Sequence, residues 1–132
     1  MNELQALMGI LNLERMEELL AWRRRIARVY RDAFAGTAAD FVGRSRNAAY
    51  CPVLFENESV REKVYHALKS VNVFTRRYFY PLLSDFAPYV YARGTCRVAE
   101  DAAKRILCLP TYYGLSEDEA RGIADNVLEI VS

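Results

Sequence analysis

From Met16 onward the apolar residues Met16, Leu19, Leu20, Ile26, Ala27, Tyr30 and Phe34 keep helical spacing, with charged residues between them. That is the pattern of a helix with one buried face. Before Met16 the pattern changes. Leu4, Leu7, Met8, Ile10, Leu11 and Leu13 face nearly all round, so that stretch calls for cover on more than one side. Together the two stretches predict one long helix over residues 3–34 whose first turns need a partner surface.

Residues 35–47 carry Gly36, Asp40, Gly43, Ser45 and Asn47 and read as a loop. Residues 49–55 read as a strand, and Pro52 inside it argues for an edge or a bulge. Asn57 turns the chain, and Ser59 with Glu62 has the spacing of a capping box. Val60, Val64, Leu68 and Val71 line one face of the helix that follows. Residues 73–80 are rich in β-branched and aromatic side chains and predict a second strand, stopped by Pro81.

Residues 82–96 are irregular, with Pro88, Gly94 and the separated aromatics Phe86, Tyr89 and Tyr91. A short helix over 98–106 leads to a brief apolar segment, 107–109, closed by Pro110. Ser116 and Glu119 form another capping box, and the last helix buries Ala120, Ile123, Val127 and Ile130 or Val131. The class is α+β: a small antiparallel or mixed sheet covered by helices. The chain reads as a single domain over 1–132, with the long helix followed by an α+β unit at 48–131.

Composition narrows this little. At 132 residues, 52% hydrophobic, 27% charged and with a net charge of +1, the chain is an ordinary globular one with no global bias towards nucleic acid or membrane. Glu3 and Glu14 interrupt the head of the chain, so no signal peptide is expected, and no apolar run reaches the roughly 20 residues that cross a bilayer. Cys51, Cys96 and Cys108 are odd in number and lack C-x-x-C spacing. Free thiols in a reducing cytoplasm are therefore expected, and with one histidine, His66, they complete no familiar metal site.

Few groups carry candidate chemistry. Arg23, Arg24, Arg25, Arg28 and Arg31 form a basic run among Glu14, Glu17, Glu18 and Asp32, which favours a solvated, salt-bridged helix face over a nucleic-acid site. The segment 75–81 is the most specific-looking. Arg76 and Arg77 could hold a diphosphate while Tyr78, Phe79 and Tyr80 stack on or hydrogen-bond a ring. An alternative of equal weight is a core strand with snorkelling arginines. On a strand, Arg77, Phe79 and Pro81 would share one face and Arg76, Tyr78 and Tyr80 the other. Tyr112 and Tyr113 read as loop packing, and His66 as a surface histidine without a carboxylate one turn away. No catalytic residue is visible.

Several segments in order carry a resemblance. They are residues 1–6 running into Gly9 and Leu13, the Arg25 to Tyr30 element, the aromatic strand 48–55, the segment 72–82, residues 103–112, and the capped helix beginning at Ser116. This ordered set resembles the C-terminal part of the DegT/DnrJ/StrS family of sugar aminotransferases, over essentially the whole chain. The Tyr-Phe-Tyr-Pro form is similar to the branch acting on 3-keto-6-deoxy sugars linked to thymidine diphosphate.

The resemblance implies the small C-terminal domain of a fold type I enzyme. Its large domain, with a mostly parallel sheet, holds pyridoxal phosphate (PLP) on a lysine, and an amino donor such as glutamate supplies a keto sugar. It also implies that residues 76–80 border the nucleotide-sugar substrate. The first helix then lies near a dimer interface or the large domain, through Leu4, Leu7, Met8 and Leu11. The only lysines, Lys63, Lys69 and Lys104, match no catalytic position of the family. The expectation is thus a C-terminal fragment without the PLP-binding large domain, inactive alone, holding no cofactor itself. Two other readings stay open: a stand-alone nucleotide-sugar or RNA-binding module, and a subunit completed by a separate polypeptide.

Overall fold

Residues 3–34 form two helices where the periodicity predicts one. A computed structural model, which describes residues 2–132, places α1 at Glu3–Glu14 and α2 at Met16–Phe34, divided at Arg15 with φ −96° and ψ 2°. The Arg15 N–H turns to the Leu13 carbonyl rather than continuing the helical ladder. The break falls where the burial pattern changes. No residue of α1 is buried, whereas α2 buries Ile26, Ala27, Tyr30 and Phe34. Asn2 starts α1 with a reciprocal cap: its side chain accepts from the Gln5 N–H at 2.9 Å, and the Gln5 side chain accepts from the Asn2 N–H at 3.1 Å.

The sheet contains β1 (Asp40–Phe41), β2 (Cys51–Leu54), β3 (Arg76–Arg77) and β4 (Ile106–Leu109), in the order β1-β2-β4-β3 with every pair antiparallel. Between them run α3 (Glu58–Ser70) and α4 (Arg97–Arg105), and α5 (Glu117–Val131) closes the chain. The α+β class holds, with three corrections.

First, the expected loop 35–47 contains β1, which pairs with Leu54 and Val53. Two residues carry no alternation of their own, so only the partner strand defines them. Second, β2 is interior rather than an edge. Its proline is tolerated because Pro52 faces the end of short β1, where its carbonyl accepts from the Val42 N–H at 3.1 Å and the missing donor breaks no longer ladder. Third, the strand expected over 73–80 shortens to Arg76–Arg77, opposite Cys108 and Leu107. Phe79 has φ +49° and the Tyr80–Pro81 peptide is cis, so the extended run ends before the aromatics. Two 3₁₀ turns, Leu83–Asp85 and Ala87–Ala92, follow.

One face of the sheet builds the core. Cys51 and Val53 lie opposite Leu109 and Leu107, and opposite residues of antiparallel strands share a face. Ile26, Tyr30 and Phe34 of α2, Val64 and Leu68 of α3, and Ala120, Ile123, Ala124 and Val127 of α5 join them in one cluster. The Tyr30 hydroxyl donates to the Pro110 carbonyl at 3.0 Å, which satisfies its buried polar tip. Val71, expected on the buried face of α3, sits at the helix end and is exposed, and Val60 is partly buried.

Helix α3 is capped by Asn57, which accepts from the Val60 N–H at 3.0 Å; Ser59 already lies in the first turn. At α5 the expected box is present: Ser116 accepts from the Glu119 N–H at 3.1 Å and Glu119 from the Ser116 N–H at 2.8 Å. Among the described residues no helix is long and apolar enough to cross a membrane.

Candidate functional site

Glu62 leaves the first turns of α3 between two arginines. Arg61 is fully buried at 0% exposure, an unusual position for a guanidinium, and its partners explain how it is tolerated. Its Nε donates to the Lys104 carbonyl at 2.9 Å, and its Nη2 lies 3.4 Å from Glu58 Oε1. Its Nη1 lies 2.6 Å from Glu62 Oε1, a charge contact whose angle does not make a directed hydrogen bond. The other Glu62 oxygen binds Arg77 at the end of β3. The Arg77 guanidinium stands 4.2 Å from the Tyr65 ring centre, and Arg61 and Arg77 each stand 5.1 Å from that of Tyr80. One carboxylate and two aromatic rings thus hold two cations, an arrangement that fixes the direction of Arg77.

The five residues singled out in the sequence do not converge on one spot. Arg77 and Tyr80 meet. Tyr78 packs instead on Tyr50, with ring centres 5.1 Å apart, and on Phe79 at 4.2 Å. Phe79 is 70% exposed, and Arg76 is exposed on the opposite sheet face, beside Cys108. The faces expected from a long strand therefore fail beyond Arg77, because the strand stops there.

Beyond Tyr80 a cleft of about 260 Å³ is lined by Glu58, Tyr80, Asp85, Arg93 and Lys104, among others. The residues that hold the site, Arg61, Glu62, Tyr65 and Tyr50, carry no functional signal in the sequence. Glu62 carried only a capping signal. His66 also departs from expectation, because its Nε2 lies 3.5 Å from Glu62, one helical turn back.

A second cluster fastens the loop after β4 to α2. The Tyr113 hydroxyl donates to Glu18 at 2.6 Å, and this bond holds the Glu18 carboxyl below its usual range and raises the Tyr113 hydroxyl. Trp22 donates to the Leu115 carbonyl at 3.0 Å and packs 5.2 Å from Tyr113, so loop packing describes Tyr113. The basic run of α2 is solvated but not salt-bridged: among the described residues, none of Arg23, Arg24, Arg25, Arg28 and Arg31 makes an ion pair within 4 Å.

Cys51 and Cys108 are buried and Cys96 is exposed, all three free. Burial pushes both inner thiols up to about 11, so at neutral pH they are protonated and unreactive. The three lysines are all exposed on α3 and α4. Lys104 rims a cleft smaller than the roughly 300–1,000 Å³ usual for small-molecule sites. These lysines do not fit the enclosed amine that a Schiff-base cofactor requires.

Comparison with known proteins places the chain in a family. The model of the DegT/DnrJ/EryC1/StrS aminotransferase family matches residues 1–128. A dTDP-4-amino-4,6-dideoxy-D-glucose transaminase of Shigella dysenteriae is 34% identical over 139 positions, covering 98% of this chain and 38% of its own length. The Escherichia coli protein of the same name is 30% identical, covering 89% and 35%. Among solved structures, DesI in the presence of its TDP-sugar product superposes with TM-score 0.81 at 28% identity, over 94% of this chain and 34% of its own. PseC of Helicobacter pylori, an aminotransferase of pseudoaminic acid biosynthesis, shares the fold with TM-score 0.84 at 20% identity, over 99% and 38%. The chain spans little more than a third of the relatives it matches.

Proposed function

This chain belongs to the DegT/DnrJ/EryC1/StrS aminotransferase family, and from that premise we propose that it forms the small-domain wall of the substrate cleft in a PLP-dependent nucleotide-sugar aminotransferase. The whole enzyme would move an amino group from an amino acid such as glutamate to a keto sugar carried on thymidine diphosphate. The names of the two transaminases and the TDP-sugar product of DesI support that substrate class. Those transaminase names put the amino group on carbon 4, which favours a 4-keto sugar over the 3-keto branch that the Tyr-Phe-Tyr-Pro form suggested.

In this reading PLP supplies the electron sink from the cofactor-bearing part of the enzyme, and the present residues only bind and orient. The observation that carries the proposal is the Glu62–Arg77–Tyr80 arrangement. It presents a pre-oriented guanidinium beside a half-exposed phenol, suited to a phosphate or sugar hydroxyl. Tyr50, Tyr78 and Phe79 offer a separate aromatic surface for the nucleobase. The exposed apolar side of α1, with Leu4, Leu7, Met8 and Leu11, is then covered by the rest of the enzyme or by a second subunit.

The test is steady-state kinetics of a full-length enzyme. Arg77→Lys and Tyr80→Phe should raise KM for the nucleotide sugar roughly tenfold, leaving KM for the amino donor unchanged. Unchanged KM for both substrates would remove these residues from the cleft. The 132-residue chain with added PLP should show no amino transfer; turnover by it would overturn the division of labour.

A further inference from the structure

Arg24, Arg28 and Arg31 stand at i, i+4 and i+7 on α2, and this spacing places all three on one helical face. They line a pocket of about 210 Å³ whose opposite wall is the loop between β1 and β2, with Phe41, Gly43, Ser45, Ala48 and Tyr50. No carboxylate lines it. Asp40 borders a neighbouring hollow with Arg31, and Asp32, Glu117 and Asp125 line the groove facing α5 with Arg28, yet none of the four pairs with these arginines within 4 Å. Like charges one turn apart repel one another, so three unpaired guanidiniums on one face cost the helix stability unless an anion is shared among them.

Two of the three are also held in place. Arg24 Nε donates to the Arg46 carbonyl at 3.1 Å, which ties α2 to the loop and leaves the terminal nitrogens of the fork free. The Arg31 guanidinium stands 5.7 Å from the Phe41 ring centre. Gly43 makes room for that ring, since a Cβ there would come within 2.5 Å of its tip. The Tyr50 phenol adds a neutral donor to the same wall, where the Ser45 hydroxyl already donates to the Asn47 side-chain oxygen.

We propose that this pocket binds a phosphate group, held between the guanidiniums of Arg24, Arg28 and Arg31 and the loop 43–48. The pocket is below the usual range for a drug-sized ligand and suits a compact anion, and planar guanidinium forks match phosphate oxygens in pairs. The site is separate from the Glu62–Arg77–Tyr80 arrangement and does not depend on the reading given to it. Tyr50 joins the pocket to the Tyr78–Phe79 aromatic surface, because its ring packs on Tyr78.

The proposal is tested by ¹H–¹⁵N correlation spectra of the 132-residue chain, titrated at constant ionic strength with inorganic phosphate, pyrophosphate, thymidine diphosphate or thymidine. The expected result is saturable shifts at the amides of residues 43–48 with the phosphate-bearing probes and none with thymidine. Arg28→Ala and Arg31→Ala should each weaken binding roughly tenfold. Arg28→Lys, which keeps the charge and the fold but loses the fork, should fall between. Thymidine diphosphate binding at least as tightly as pyrophosphate assigns the site to a nucleotide's phosphates; tighter binding of phosphate or pyrophosphate assigns it to a free anion. Shifts that do not saturate, or that all three variants leave unchanged, overturn the site. A response only to an RNA oligonucleotide, strongly weakened by salt, overturns it in favour of a nucleic-acid surface.

Discussion

Glu62 ties Arg77 of strand β3 to helix α3, and its second oxygen lies against the buried Arg61. Removing that carboxylate leaves a fully buried cation with the more distant Glu58, a backbone carbonyl and the Tyr80 ring as partners. Glu62→Gln is therefore expected to destabilise the chain by about 2 kcal/mol, the scale of stripping one partner from a buried polar group. Arg61→Met, which removes the buried charge while filling similar volume, should cost less than Glu62→Gln. Urea unfolding of both variants decides it. Equal stability of Glu62→Gln and wild type would mean that Arg61 and Arg77 do not depend on this carboxylate.

The start of α3 provides a direct contest between sequence and structure. Ser59 and Glu62 have the spacing of a capping box, but Asn57 makes the cap. Asn57→Ala should cost about 1 kcal/mol, whereas Ser59→Ala should stay within about 0.5 kcal/mol. Ser116→Ala, at the box that both agree on, should cost about 1 kcal/mol as well. Thermal melts of the three variants give the order, and a larger loss at Ser59 than at Asn57 would contradict the cap seen here.

What could be read from the sequence shares a physical property. The buried faces of α2 and α5, the box at Ser116 and the α+β class all rest on signals carried within one or two turns of chain. The misread parts are defined by partners far away. β1 and β3 are two residues each and exist because Val53, Leu54, Leu107 and Cys108 pair with them. Arg61 could not be recognised as buried, because the carbonyl that receives its Nε belongs to Lys104, 43 residues on. In the candidate site the segment 76–80 stood out by composition, yet its division into an Arg77–Tyr80 side and a Tyr78–Phe79 side follows from a strand that stops early. Neither Glu62 nor Tyr50 advertised its role, because each acts through residues distant in sequence.

The two inner thiols set an alkaline limit. Cys51 and Cys108 are raised by burial from an ordinary 9.0 to about 11. Below pH 9 the thiols are protonated in both folded and unfolded chains, and their contribution to stability is fully present. Between pH 9 and about 11 the unfolded chain ionises and the folded one resists, so stability falls as pH rises, by about 2 kcal/mol for each thiol. Tyr30, raised in the same direction by its burial, steepens the loss above pH 10. Denaturant midpoints measured from pH 8 to 11 should decline in wild type and decline less in a Cys51→Ala/Cys108→Ala variant. Iodoacetamide at pH 8 should label Cys96 alone until the chain unfolds.

Helix α1 makes the last prediction. Leu4 is 69% exposed, Leu7 53% and Leu11 47%, on a helix with no buried residue. Just past its end Arg15 stands over Tyr113 at 5.4 Å and pairs with Glu18. Apolar surface of this kind is removed from water by association, at roughly 25 cal/mol per Å² buried. The 132-residue chain should therefore self-associate with rising concentration in sedimentation velocity. Leu7→Glu/Leu11→Glu should sediment as a monomer. Because α1 contributes nothing to the core built on α2, α5 and the sheet, the same variant should keep the wild-type denaturant midpoint under dilute, monomeric conditions. A drop in that midpoint would mean that α1 supports the fold itself. A wild-type monomer at every concentration would mean that its apolar face is not a docking surface.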